Sequence, residues 1–282
     1  MDKMRRSKKE MTELLNKSLS EDPSFVRAFD AFKMYYGIAK EHKGAIVAAV
    51  GCFFLLWINA RKHTFVLLAA QGWFPELDLT LGVSDEMNRL ILDGKSAEVD
   101  QLLTKVYTKK LTDIEHKIAA SYPDRMEIIR QAFSAHRKKQ YCLSVPVFLV
   151  QADGIARHLT GGEFFRKARR RPLTAKFVET TIHNPIYAPL FEILRSNLPI
   201  SASEHERQYA AIDLNRHAIL HGQDTNYGSE TNSLKAVSLL SYLSSLGSML
   251  EQANQPMEVI DQLLSIVPVN QSIAPASKTG RA

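Results

Sequence analysis

Apolar positions recur along this chain at helical spacing, and runs of period-two alternation with turns at hairpin spacing are missing. An all-α fold is predicted, arranged as a C-terminal helical bundle preceded by a separate N-terminal helical region. Residues 4–42 read as two short helices broken at Asp22-Pro23-Ser24. Gly44–Ala60, GAIVAAVGCFFLLWINA, is apolar on every face and is flanked by His42-Lys43 and Arg61-Lys62-His63. Its length is at the lower edge of the roughly 17–25 residues that span a bilayer. Trp57 suits an interface. The segment therefore has two readings: a membrane anchor, or a buried helix continuing into HTFVLLAAQGWF. With basic residues at both ends, flanking charge assigns no orientation.

Gly72 and Pro75 predict a turn, and Ser84 or Asp85 offers a cap for the helix that follows. Val99, Leu102, Leu103 and Val106 form the apolar stripe of the next helix. This N-terminal part, residues 61–123, ends near Tyr122-Pro123. From Asp124 a further helix places Met126, Ile129, Phe133 and then His136 or Arg137 on one face. YCLSVPVFLVQADGIARHL continues it, with Pro146 expected to kink the helix or open a new first turn. Gly161-Gly162 ends that pair. Residues 163–200 look like an insertion of short helices punctuated by Pro172, Pro185, Pro189 and Pro199. A helix begins at Ser203, where Ser203 and Glu206 have capping-box spacing, and stops at Gly222. After a polar loop, SLKAVSLLSYLSSLGSMLEQA reads as an amphipathic helix. The domain reading is thus 1–43, 44–60, 61–123, 124–267 with the insertion, and a disordered tail at 268–282.

Composition changes this picture little. The chain has 282 residues, 45% hydrophobic and 23% charged, which is ordinary for a globular protein and argues against wholesale disorder. Its net charge of +6 favours anionic partners. Cys52 and Cys142 are far apart among apolar neighbours, read as small buried hydrophobes, and fit a reducing, intracellular compartment.

The chemistry is concentrated in NRHAILHG, Asn215–Gly222. His217 and His221 are four apart, on one helical face, as in zinc proteases. Ala218 stands where those enzymes carry a general-base Glu, and no third ligand follows at short range, so no metal is expected. Cations in a last helical turn are also favoured by the macrodipole, by roughly 0.3–1 kcal/mol. That alone would explain an Arg and two His before a terminating Gly. Yet Arg216 shares a stripe with Tyr209, Ile212 and Ile219, and an apolar stripe forces an Arg to pair, snorkel or meet a ligand. Asp153, in QADGI, is the candidate partner. The basic run Arg166, Lys167, Arg169, Arg170, Arg171 is either solvated loop charge or a contact for RNA backbone.

Arg216-His217-xxx-His221 resembles the Arg-[Asn/Asp/His]-x-x-x-His signature of HEPN domains. NRHAILHG followed by NSLKAVSLLSYL, and AFSAHRKKQYCLSVPVFLVQADGI before it, are similar to bacterial HEPN-like proteins of toxin and phage-defence genes. The resemblance spans about Asp124 to Ala253. It implies a helical bundle that homodimerises and a metal-independent endoribonuclease without cofactor, cutting RNA by 2′-OH attack in the bacterial cytoplasm. A neutralising antitoxin or other regulatory protein is a further expected partner. Carried over, His221 is the general acid/base and Arg216 the phosphate ligand, with His217 and Asn215 in support. A His at a helix C-terminus has its protonated form favoured. Positions five apart lie about 140° apart on an ideal helix, so a site composed across a two-fold axis is expected. The alternative is a non-catalytic RNA-binding or dimerisation module, membrane-tethered if Gly44–Ala60 spans.

Overall fold

Every residue from Asn232 to Leu246 is buried, and the helix that carries them is the axis on which the other elements pack. The structure, a computed structural model, describes residues 62–75, 81–181, 188–207 and 214–253. In chain order the helices are α1 (Lys62–Ala70), α2 (Leu81–Leu92), α3 (Ser96–Ser121), α4 (Met126–Arg137), α5 (Tyr141–Thr160), α6 (Ala175–Thr181), α7 (Ala188–Arg195), α8 (Glu204–Arg207), α9 (Arg216–Leu220) and α10 (Glu230–Ala253). A two-stranded hairpin, β1 (Lys167–Ala168) and β2 (Arg171–Pro172), lies between α5 and α6. The fold is all-α. Among the described residues no helix is long and apolar enough to cross a membrane. The run Gly44–Ala60, Cys52 and the tail lie outside them.

α10 is not amphipathic as SLKAVSLLSYLSSLGSMLEQA predicted, because Lys235 and its serines up to Ser245 are buried with its apolar residues. Periodicity counts Ser and Lys as polar, but burial only requires that their polar atoms find partners. Lys235 Nζ is 3.1 Å from Asp100 Oδ1, and the same carboxylate accepts from Trp73 Nε1 at 2.7 Å. Ser238 Oγ accepts from Phe74 N at 3.1 Å and donates to Lys235 O at 2.7 Å. Tyr242 OH donates to Leu190 O at 2.5 Å. Gly72, at φ +89°, brings backbone so close that an added Cβ would lie 3.1 Å from Lys235 Cδ.

α5 packs against α4 on one side and α10 on another, and α3 closes the second side of α10. Val99 and Leu103 of α3, Phe133 of α4, Phe148 of α5 and Leu240 of α10 belong to one core. Tyr122-Pro123 is accordingly a corner between helices that share this core. On α4 the inward-facing member of the pair is His136, while Arg137 reaches Glu115. His136 Nδ1 is 2.8 Å from Ser233 Oγ, which is 2.8 Å from Ser144 Oγ, joining α4, α10 and α5.

Three local readings are corrected. Pro146 does not open a new helix, because α5 runs through it. The Cys142 carbonyl, which would have accepted its missing N–H, accepts from Tyr227 OH at 3.1 Å instead. Cys142 is exposed rather than buried, with its sulfur against Gly228. α2 begins at Leu81, before Ser84 and Asp85, so neither caps it.

Two tests follow from the buried polar groups. Ser238→Ala orphans the Phe74 N–H and should destabilise the chain by about 1–3 kcal/mol in urea denaturation. Ser241 Oγ is buried with no partner among the described residues, so Ser241→Ala should be neutral or stabilising. Equal losses in the two variants would contradict this assignment. The second test concerns pH. Burial chiefly, and Arg137 beside it, lower His136 below its ordinary value of 6.5, with Glu230 opposing. The unfolded chain therefore takes up this proton first. Stability is full above about pH 6.5 and declines as pH falls from there toward the folded-state value. A His136→Gln chain should show a shallower decline in unfolding free energy over that window.

Candidate functional site

The motif helix does not start at Ser203. Ser203 and Glu206 do form the expected capping box, with Ser203 N donating to Glu206 Oε2 at 2.7 Å and Glu206 N to Ser203 Oγ at 3.4 Å. That helix is the single turn α8, however, and at Asn215 the chain is extended, φ −122° and ψ 119°. Tyr209 and Ile212 of the expected stripe lie outside the described residues.

Asn215 is why a new helix begins. Its Oδ1 accepts from Ala218 N at 2.9 Å, the N-cap bond. Its Nδ2 donates to Pro199 O and Ala202 O, each at 3.0 Å. With its amide so used and 2% exposed, Asn215 positions α9 and is not open to substrate. At the other end Gly222, at φ +69°, makes the predicted stop. Gln223 N reaches Ala218 O at 2.8 Å and Gly222 N reaches Ile219 O at 3.1 Å, a Schellman closure. Five residues are thus clamped at both ends and laid against α5.

Arg216 turns inward. Its Nη2 is 3.9 Å from Asp153 Oδ2, the ion pair expected from sequence, and its Cζ is 5.7 Å from the centre of the Phe165 ring. Asp153 Oδ1 accepts from Phe165 N at 3.4 Å. Burial pushes the Asp153 carboxyl above its ordinary value, offset in part by the Phe165 N–H and by Arg216. Arg216 Nε is buried with no partner among the described residues.

His217 and His221 share the other face. Their rings stack with centroids 5.8 Å apart and planes 8° from parallel. Among the described residues no group of three or more His, Cys, Asp or Glu is placed to hold a metal ion. His217 is half-buried and His221 is exposed. The macrodipole expectation of a favoured imidazolium is reversed at His217. Burial lowers it first, then the charges of Arg216, His221, Arg207 and Lys167. Five residues supply too little dipole to oppose that.

Arg207 was not anticipated. Its Nη2 donates to Gln223 Oε1 at 2.6 Å and its Nη1 to Asn215 Oδ1 at 3.4 Å, both neutral acceptors. On one continuous helix, nine residues would set Arg207 about 180° from Arg216. The break before α9 is what brings them to the same histidine, and no sequence periodicity signals it. Phe165, which no sequence pattern singles out, is the floor under Arg216.

The basic run forms a short hairpin, and all of its charged residues except Lys167 are solvent-exposed. Arg166 lies near Glu163, Lys167 Nζ is 2.9 Å from Glu206 Oε1, and Arg171 pairs with Glu179. Backbone N–H of Ser203 and the Lys167 ammonium hold Glu206 down at about 2. Arg169 and Arg170 are exposed at the tip.

The arrangement is a half-buried imidazole whose neutral form is favoured by burial and by nearby positive charge, with a second imidazole beside it open to solvent. It can accept a proton and attract an anion at the same point. In an NMR titration His217 should protonate below its ordinary value, and Arg207→Gln should move it upward by removing one neighbouring charge. No change in that variant would show that Arg207 does not act on His217.

Compared with protein-family models, with curated proteins and with solved structures, the chain finds no match. Function is therefore read from the side chains themselves.

Proposed function

We propose that this chain is a metal-independent endoribonuclease of the HEPN type, serving toxin or antiphage defence. The observation that carries the reading is the stacked pair His217 and His221, with the charges of Arg216, Arg207 and Lys167 acting on His217. A phosphodiester brings negative charge to those cations and a 2′-OH to a neutral imidazole.

The reaction closes on itself chemically. The 2′-oxygen attacks the adjacent phosphorus and its proton passes to a neutral imidazole, a role open to His217 because burial and neighbouring charge favour its deprotonated form. The P–O5′ bond breaks, and the leaving oxygen takes a proton from the imidazolium of His221, which is exposed to substrate. Arg216 and Arg207 stabilise the charge gathered on the phosphorane, the usual service of a guanidinium fork. Products are a 2′,3′-cyclic phosphate and a 5′-hydroxyl.

Arg216 faces α5 while His221 faces outward, which suits a site completed by a second copy. Leu143 and Val150, on the face of α5 that leads to Asp153, are 60% and 48% exposed and offer the apolar surface for it. A second reading is favoured by Arg216 itself. Its bond to Asp153 and its packing on Phe165 are also what a purely structural or assembly role would need.

Purified protein incubated with total RNA in EDTA should leave cyclic-phosphate ends. His221→Ala and Arg216→Ala should each reduce cleavage by at least about 100-fold, the range of one general acid/base or one charge-stabilising donor. The parent should sediment as a dimer at micromolar concentration. Cleavage undiminished in His221→Ala would sink the catalytic assignment. Loss of stability in place of activity would select the structural reading.

A further inference from the structure

The turn that joins β1 to β2 is built from the wrong residues for a turn. Lys167 pairs with Pro172 and Ala168 with Arg171, leaving Arg169-Arg170 as a two-residue connection. Both adopt left-handed backbone, φ 50° and 65°. Hairpin turns with two such residues favour Asn-Gly, because a Cβ there crowds the backbone. Two arginines occupy it against that preference.

The surrounding charges separate these two from the rest of the run. Arg166, Lys167 and Arg171 each have a carboxylate at hand, in Glu163, Glu206 and Glu179. Among the described residues Arg169 and Arg170 have none, and both are exposed. The foot of the hairpin is fixed to the histidine site. Phe165 lies under Arg216 and binds Asp153, and Lys167 binds Glu206 of α8, whose last residue, Arg207, reaches Asn215 and Gln223. The tip stands roughly 7 Å beyond Lys167, at about 3.3 Å per strand residue.

We propose that Arg169 and Arg170 form a phosphate clamp for single-stranded RNA, holding the strand's backbone beside the nucleotide that enters the His217/His221 site. The inference rests on the reading that this site handles RNA. The tip residues themselves include no aromatic to stack a base, so the clamp is indifferent to sequence. Strain in the turn is retained because Asn-Gly would fold more readily but carry no charge.

The test uses the full chain carrying His221→Ala, so that RNA stays intact, and a labelled single-stranded RNA 20-mer titrated at several salt concentrations. Replacing the tip by Asn-Gly (R169N with R170G) should weaken binding at low salt by about tenfold. The slope of log affinity against log salt should become shallower by about 1.4, two phosphates at ~0.7 each. The same variant should melt at or above the parent's temperature, which separates lost binding from lost fold. R169K with R170K, which keeps the charges, should retain the parent's slope. Affinity and slope unchanged by the Asn-Gly tip would overturn the clamp and leave the ribonuclease reading standing. Weakened RNA binding by a chain whose His221 parent never cuts RNA would uphold the clamp and remove the ribonuclease. A His221→Ala chain that binds no RNA at low salt would remove both. Tip-dependent binding to anionic phosphatidylserine vesicles, with RNA binding unchanged, would replace RNA by a membrane surface.

Discussion

The Asp100 carboxylate is the contact on which much of the fold depends. It neutralises Lys235 in the middle of α10 and accepts from the Trp73 indole, tying the central helix to α3 and to the turn after α1. A lysine 3% exposed cannot keep its charge without such a partner. Once that bond fixes the rotation of α10 about its own axis, the serine hydroxyls fall where the neighbouring helices can use them. Ser238 takes the Phe74 N–H and Ser233 meets His136 and Ser144. The core is therefore specified by polar geometry as well as by apolar area.

α5 packs against α10 and carries the surface on which the site forms. α5 supplies Asp153 and packs against α9. A helix as short as α9 has no stability of its own, since nucleation is costly. Asn215 at one end, Gly222 at the other and the α5 surface beneath supply it. The division of labour within the motif follows from this docking. Arg216 is spent largely on holding Asp153 and Phe165, while the stacked histidines face the side where Arg207 and Lys167 raise the local positive potential. A cation cluster that lowers the proton affinity of His217 is also one that an arriving phosphate would neutralise, so binding and proton transfer are coupled at one place.

Much was legible from sequence, for reasons that are local. Helical class follows from apolar spacing, the stop at Gly222 from the left-handed residue a Schellman closure needs, and the capping box at Ser203 and Glu206 from their three-residue interval. The Arg216–Asp153 pair was legible because each charge stood in an apolar stripe, where the cost of leaving it alone is prohibitive. The face shared by His217 and His221 follows from their spacing of four.

What only the tertiary structure decided is non-local. Whether Ser and Lys in α10 are solvated or interior depends on partners more than a hundred residues away, such as Asp100 and Phe74. The extended turn at Asn215 is imposed by the carbonyls of Pro199 and Ala202, and periodicity along 203–222 reads straight through it. Arg207 reaches Asn215 and Gln223, at the two ends of α9, only because of that turn. The basic run becomes a hairpin because Leu173 N finds Arg166 O and Lys167 finds Glu206. Sequence by itself determined which residues are chemically capable, because side-chain chemistry and helical spacing are properties of the chain. Tertiary structure decided which of them meet, because burial and charge act between groups the chain keeps far apart.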